Sequence, residues 1–326
     1  MLVHTTDYDE GIRRKGAGTG FYYVDPDGEK ITDEKVIERI KRLAIPPAYT
    51  DVWICPRPNG HLQATGRDAR KRKQYRYHEE WHELQKLRKF DRLPQVGVGL
   101  PTLRRKVRSD LHGEAGDKAF AIATAVKLID KLGFRVGNET YLVQNGSRGI
   151  ATLDTDNVEI SESGNEVEIE FTAKGGREVI TTFSDPLLHE ALAQCHELPG
   201  QRLFTYQGRN GDSIAIGSGD VNDYLREVYQ DEVTTKDLRT WRASTAAVQF
   251  LRKISTPEDR EDELREAIRF AAETIENKYE TCREHYIHPT ILDRYRDSGK
   301  WGISRLKPEK IPELQLPESL LLKILS

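Results

Sequence analysis

Residues 277–289 read NKYETCREHYIHP, and Tyr286 within them gives the rest of the chain its meaning. A tyrosine phenol ionises near pH ~10, so it is a useful nucleophile at neutral pH only where neighbouring cations stabilise the charge formed during attack. Arg283, His285 and His288 stand close by in sequence. The stretch follows EDELREAIRFAAETIEN, in which Leu264, Ile268, Ala271, Ala272 and Ile275 recur at three and four residue intervals, the period of a helix lying on a core. Tyr286 is therefore expected late in, or just after, a packed helix, with Pro289 closing the element. The chain has thirteen tyrosines, and an ordinary packed one would have similar surroundings, so the reading depends on what else the chain carries.

At 326 residues and 37.3 kDa, the chain is long enough for two domains, since a single core stops growing near ~250 residues. Charged residues make up 32%, hydrophobic ones 37%, and the mean hydropathy is -0.66, which implies a heavily solvated surface. No run approaches the ~20 apolar residues of a membrane span. The start, MLVHTTDYDEG, is acidic where a secretory leader is basic and then apolar. Cys55, Cys195 and Cys282 are odd in number and widely spaced, which gives neither a disulfide framework nor a zinc pattern. The expected location is the cytoplasm. The net charge of -3 conceals an asymmetry: residues 1–110 carry 23 basic and 16 acidic side chains, and the remainder is acidic. A basic lobe on a mildly acidic chain points to a polyanion held on one side.

Residues 1 to about 20 read as an arm ending in GAGTG, followed by a strand at Phe21 to Val24 and a turn at Asp25-Pro26-Asp27-Gly28. TDEKVIERIKRL reads as a helix with a threonine N-cap, acidic residues first and basic residues last, ended by Pro46-Pro47. Short strands are expected at Val52 to Cys55 and His61 to Ala64. QATGRDARKRKQYRYHEEW then interleaves Arg67, Arg70, Lys71, Arg72, Lys73 and Arg76 with Tyr75 and Tyr77. Cations at this density neutralise phosphates, while side chains such as Gln63 and the tyrosines reach bases or sugars. The glycine and proline content between Arg88 and Val98 marks a domain boundary, giving domains 1–91 and 92–326. A second basic cluster, Arg104, Arg105, Lys106 and Arg108, follows it, so that a duplex would be gripped from two sides.

DKAFAIATAVKLIDKL is an apolar helix ending at Gly133 and delivering Arg135 between apolar neighbours, where an ion pair with Glu139 is an equally good use for it. Alternation at Val158 and Ile160, at Val167, Ile169 and Phe171, and at Val179, Ile180 and Phe183 predicts a three-stranded antiparallel sheet with Lys174 on its second hairpin. Beyond it the chain reads as helical. Arg239 stands among Leu238, Trp241, Ala246 and Ala247, a packed surface on which an arginine needs a partner such as a phosphate. The segment GKWGISRLKPEKIPELQLPESLLLKILS reads as a proline-punctuated tail with a short helix.

Taken together and in order, FRVGNETY around Arg135, NGSRGIATL after it, FTAKGG around Lys174, SGDVNDYLRE with TTKDLRTWRAS around Arg239, and NKYETCREHYIHP resemble the active site of type IB DNA topoisomerases, in the small poxvirus-like branch found in bacteria. RLAIPPAYTDVWICPRPNGHLQATGRDARKRKQYRYH resembles that family's amino-terminal DNA-clamping lobe. The resemblance runs from about residue 15 to about residue 295. It implies an α+β protein: a small mixed α/β lobe with an antiparallel sheet, and a mostly α-helical catalytic domain with a small three-stranded antiparallel sheet, the fold shared by tyrosine recombinases and type IB topoisomerases.

The resemblance further implies that Tyr286 attacks a phosphodiester of duplex DNA to give a 3'-phosphotyrosyl bond. Arg135, Arg239 and Asn277 would bind the non-bridging oxygens, and Lys174 would protonate the leaving 5'-oxygen. Asn138 and Tyr141, in the motif around Arg135, would touch DNA near the scissile phosphate. No ATP, metal or other cofactor is implied, and a monomer associated with the nucleoid would suffice. Departures are asparagine where the poxviral pattern has histidine at 277, Lys278-Tyr279 where Thr-Pro stands in the bacterial pattern, and Asn138 where the poxviral motif has lysine. The alternatives are a tyrosine recombinase, disfavoured by Lys236 where recombinases carry histidine, and an architectural DNA-binding protein without activity.

Overall fold

A computed structural model of the chain describes residues 2–18, 20–69, 71–81, 90–162, 164–254 and 259–326, and its backbone falls into two units, Met1–Lys89 and Phe90–Ser326. The first is built on a five-stranded antiparallel sheet in the order β2-β1-β3-β4-β5, from β1 (Ile12–Ala17), β2 (Gly20–Val24), β3 (Thr50–Ile54), β4 (Leu62–Arg67) and β5 (Lys73–Tyr77). Helix α1 (Glu34–Arg42) packs Ile40 with Ile12, Val52, Ile54 and Ala64. Its N-cap is Asp33, not the threonine before it, and the Asp33 carboxylate accepts from the Lys35 amide.

The amino-terminal segment is not an arm. Arg13 pairs with Val24 and Ala17 with Gly20, and the Arg14 guanidinium donates to the carbonyls of Pro46 (3.1 Å) and Tyr49 (2.6 Å) while lying 4.2 Å from the centre of the Phe21 ring. Ahead of the strand, the Thr5 amide donates to His61 Nδ1 and the Trp53 indole donates to the Asp9 carbonyl. These bonds connect residues far apart in sequence, which local composition does not register.

The second unit begins at Phe90, inside the stretch expected as a boundary. That stretch, as far as it lies within the described residues, enters α2 (Leu93–Asp110), which runs through Gly97, Gly99 and Pro101. Pro94 occupies the first turn, where a proline loses no hydrogen bond. The glycines serve close approach: a Cβ on Gly97 would lie 2.3 Å from Trp241 Cη2, and one on Gly99 2.3 Å from Tyr229 Cε1. After α3 (Lys118–Leu132) comes the short α4 (Glu139–Asn145), which buries no residue. Against α2 pack α3, α6 (Ser218–Tyr229) and α7 (Thr235–Lys253), with α5 (Pro186–His196) on α3 and α8 (Arg260–Thr274) on α7. Apart from α4, these helices share one core whose largest fully buried side chains include Trp241, Phe120, Phe204, Leu100 and Leu128.

The three-stranded antiparallel sheet is β6 (Val158–Ile160), β7 (Glu166–Ala173) and β8 (Arg177–Ser184), in that order. Val167, Ile169 and Phe171 turn inward on β7, as their alternation predicts. A small hairpin, β9 (Thr205–Gln207) with β10 (Ser213–Ala215), has strands too short to show alternation. Helix α9 (Tyr279–His285) is followed by α10 (Pro289–Ser298), so Pro289 opens a helix where it was expected to close one. After α11 (Trp301–Ser304), α12 (Leu316–Leu325) buries Leu320, Leu321 and Ile324 in the main core, which makes the tail part of the fold. All three cysteines are buried and unpaired. Among the described residues no helix is long and apolar enough to cross a membrane.

Candidate active site

Helix α3 ends at Gly133 with φ 68°, a left-handed cap that redirects the chain into Phe134-Arg135. The backbone after Arg135 is then held against the following loop: the Ile150 amide donates to the Arg135 carbonyl (2.9 Å) and the Ala151 amide to the Val136 carbonyl (2.7 Å). Gly149 permits this contact, since a Cβ there would stand 2.5 Å from the Arg135 oxygen. The expected alternative of an ion pair with Glu139 is overturned, because Glu139 pairs with Arg202 at 2.9 Å. The Arg135 guanidinium instead donates to the Glu276 carbonyl and to Asn277 Oδ1, both at 3.3 Å.

Arg239 lies on α7 and is 3% exposed. Its guanidinium donates to the Gly133 carbonyl and, at 3.0 Å, to the Ile275 carbonyl. Its Cζ lies 5.3 Å from the centre of the Tyr286 ring. Burial holds the guanidinium below its ordinary pKa, the Arg135 charge acts in the same direction, and the Tyr286 phenol opposes both. Three consecutive residues thus hold both arginines: Ile275 and Glu276 through their carbonyls, and Asn277 through its side chain. Glu276 makes this turn with φ 48°, in the left-handed region that a non-glycine residue occupies at a cost of about 1 to 3 kcal/mol.

Tyr286 is the C-terminal cap of α9, its amide donating to the Cys282 carbonyl at 2.9 Å. Ser244 on α7, which the sequence reading missed, donates its hydroxyl to the Tyr286 carbonyl and accepts from the His288 amide, each at 3.1 Å. One side chain therefore fixes the backbone on both sides of Ile287. Nothing in the run ASTAAVQ distinguishes Ser244 from a helix-face serine; only the meeting of α7 with the 286–288 segment gives it this task.

Two donors in the site are left without partners. Arg239 Nε and Asn277 Nδ2 are buried and make no hydrogen bond, although buried polar groups are nearly always paired. Both belong to side chains whose other polar atoms are engaged, which leaves free the Nε–H of Arg239, whose guanidinium lies by the Tyr286 ring, and the amide N–H groups of Asn277, whose oxygen holds Arg135. An anion with several acceptor oxygens would satisfy them.

Lys174 stands on the tip between β7 and β8, exposed, where Gly175 (φ 87°) and Gly176 (φ 72°) turn the chain. Its Nζ lies 5.5 Å from the centre of the Tyr141 ring, and Tyr141 on α4 is 52% exposed. Asn138 caps α4, its Oδ1 accepting from the Thr140 amide at 2.8 Å. Lys174 and Tyr141 are thus brought together, with Asn138 at the start of the same short helix.

The remaining candidates for DNA contact divide by exposure. Tyr75 and Tyr77 are stacked with ring centres 6.1 Å apart and partly exposed, and Arg67, Lys71 and Arg72 are exposed on the same hairpin. Arg72 pairs with Asp68 and Lys73 with Asp7. Arg70 lies outside the described residues. Two expectations meet physical objections. Gln63 is buried, taking Arg39 on its oxygen and giving its amide hydrogens to the carbonyls of Arg57, Pro58 and Gly60. Arg104 is engaged by Asp130 (2.8 Å) and by Glu318 of α12 (2.7 Å); although burial alone would lower its pKa, these carboxylates hold it well above its ordinary value. Both side chains are spent on the fold. Arg105 is exposed and donates to the Thr102 hydroxyl at 3.1 Å.

The sequence of residues 20–68 matches the family described as bacterial DNA topoisomerase IB, N-terminal domain, and residues 78–305 match the eukaryotic DNA topoisomerase I catalytic core. The chain belongs to the type IB DNA topoisomerases. A DNA topoisomerase 1B of Acanthamoeba polyphaga mimivirus is 29% identical over 312 residues, covering 93% of this chain and 92% of the viral protein. As a type IB topoisomerase, and one of the small bacterial kind, the chain is an enzyme whose substrate is DNA. Among the described residues of this topoisomerase no three or more His, Cys, Asp or Glu side chains gather as metal ligands.

Proposed function

We propose that this topoisomerase relaxes positive and negative supercoils by cutting one strand of duplex DNA, letting it rotate, and resealing it without ATP or a required metal. Tyr286 Oη bonds to the scissile phosphorus as the bond to the 5'-oxygen breaks. The phenolic proton goes to solvent, and Lys174 supplies a proton to the departing oxygen. The 3'-phosphotyrosyl ester conserves the energy of the cut bond, so the 5'-hydroxyl can reverse the reaction.

The observation that carries this reading is the pair of unpartnered buried donors, Arg239 Nε on the guanidinium beside Tyr286 and Asn277 Nδ2 on the amide that holds Arg135. A phosphoryl group gaining charge in a pentavalent transition state offers acceptors to both, and fixed donors aimed at developing charge are worth ~10²–10³-fold in rate apiece. Arg135, held next to Asn277, supplies a second guanidinium. The amino-terminal unit adds backbone contacts through Lys71, Arg67 and the stacked Tyr75 and Tyr77, and one copy of the chain suffices.

The test is relaxation of plasmids of both supercoil signs in EDTA without ATP, with Tyr286→Phe alongside and a denaturant quench to capture protein on DNA. Relaxation of both signs by the natural chain, with relaxation and adduct absent from the variant, is expected. DNA binding with neither relaxation nor adduct would sink the proposal.

A further inference from the structure

The Lys174 hairpin is tied to the turn that holds both arginines by an ion pair outside the reacting groups. Arg177, the first residue of β8, lies three residues beyond Lys174 and directly opposite Ala173 in the hairpin register. Its guanidinium meets the Glu276 carboxylate at 3.1 Å. Glu276 is the left-handed residue of the 275–277 turn, and its own carbonyl accepts from Arg135. A single residue therefore touches Arg135 with its backbone and the base of the lysine hairpin with its side chain.

We infer that Arg177 and Glu276 are a positioning pair: they set the Lys174 hairpin in register with the phosphate-binding turn, so that proton delivery to the leaving oxygen depends on their contact. The inference rests on the proposed role of Lys174. Three features support it. The tip turn is made by two left-handed glycines, φ 87° and 72°, closed by the Gly176 amide on the Ala173 carbonyl at 3.2 Å, so where Lys174 stands depends on where the hairpin as a whole is held. The opposite side of the hairpin is anchored by the Arg148 amide on the Thr172 carbonyl at 2.8 Å, which leaves the β8 side to Arg177. The Arg177 and Glu276 side chains are 43% and 27% exposed, and pairs this accessible contribute little to stability. A contact of that kind matters chiefly through the geometry it sets, and a small misplacement of a catalytic group slows chemistry by as much as ~10²-fold.

Substrates that differ only in the leaving atom isolate the effect. A duplex carrying sulfur in place of the bridging 5'-oxygen at the scissile position expels a thiolate, which departs without a proton donor. Single-turnover adduct formation is measured on the oxygen and sulfur duplexes for the natural chain, Lys174→Ala, Arg177→Ala, Glu276→Gln, and the exchanged pair Arg177→Glu with Glu276→Arg. On the oxygen duplex, Arg177→Ala and Glu276→Gln are expected to be slowed about tenfold, with DNA affinity retained. On the sulfur duplex they match the natural chain, and the exchanged pair recovers most of the lost rate.

Unchanged rates on oxygen would overturn the inference. So would equal slowing on both duplexes, because a general distortion of the turn does not distinguish leaving atoms. The two readings fail separately. A natural chain forming no adduct on either duplex defeats the proposed function and this inference with it. Sulfur rescue of Lys174→Ala with no oxygen defect in Arg177→Ala defeats only the inference.

Discussion

In the proposed mechanism Asn277 joins two tasks in one amide. Its oxygen is occupied by Arg135 and by the Lys278 amide, and its nitrogen is buried without a partner. Removing that donor with Asn277→Ala is expected to slow single-turnover cleavage about 10²-fold, the loss usual for one fixed oxyanion donor. Asn277→His, which restores an N–H, should recover most of the rate. Equal rates in the natural and alanine chains would show that the nitrogen does not meet the transition state. Arg239→Lys is a harsher change: an ammonium cannot serve two carbonyls and still present a planar third donor, so adduct formation should fall by at least about 10²-fold.

At the same scale, burial lowers the His288 pKa against an opposing effect of Asp91, and its Nδ1 accepts from the Thr290 amide as the cap of α10. The folded chain thus binds fewer protons here than the unfolded chain. The stability at stake is complete above the ordinary imidazole value near ~6.5 and declines as pH falls from there to the lowered folded value. His61, lowered by burial and by His4, acts in the same direction. His288→Asn, which keeps a capping acceptor, should make urea midpoints less pH-dependent between about 6.5 and 5; an unaltered slope would remove His288 from the account.

Among the elements, α2 makes the most direct demand on packing, because Gly97 faces the rigid Trp241 ring at the core. Gly97→Ala should therefore cost about 1 to 3 kcal/mol of unfolding free energy, read from urea titration, despite alanine's better helix propensity. A stabilised variant would mean that Trp241 can move aside. The same helix explains why some elements were legible and others were not. Strand β7 and helix α8 bury residues at their own periods, while a mostly apolar run ending at Gly133 marks α3 and a threonine cap marks α7, so the sequence located them. Ile180, grouped with Val179 and Phe183 in the expected alternation, instead faces out at 62% exposure. In α2 the glycines and proline carry the usual signature of a loop, and the tertiary purpose of the glycines lies more than a hundred residues away, at Tyr229 for Gly99 and at Trp241 for Gly97. Strand β1 buries Ile12 and little else, so it had no alternation to read. The site divides similarly: the identities of Arg135, Lys174, Arg239, Asn277 and Tyr286 came from motifs in order, while the carbonyl supports of the arginines and the Ser244 bridge arise only when α7, α8 and the 286–288 segment meet.

On the scale of the whole molecule, cations are unevenly spread along the chain, and DNA binding should show it. Affinity is expected to fall linearly with the logarithm of salt concentration, and Lys71→Ala should reduce that slope by about one without changing sequence preference. An affinity indifferent to salt would contradict a phosphate-based grip. Arg104→Ala, by contrast, should leave the salt slope alone and lower stability, since it would strip Glu318 and α12 of their partner. The three buried thiols have a consequence for watching the enzyme at work. Burial raises Cys195 and Cys282 to about 12, leaving them protonated and slow toward maleimides, and Cys55 is shielded as well. A thiol introduced at Ile180, 62% exposed on the lysine hairpin, would then be the fast-reacting one in an otherwise natural chain, so a fluorophore could follow that hairpin through cutting, rotation and resealing without first replacing a native cysteine.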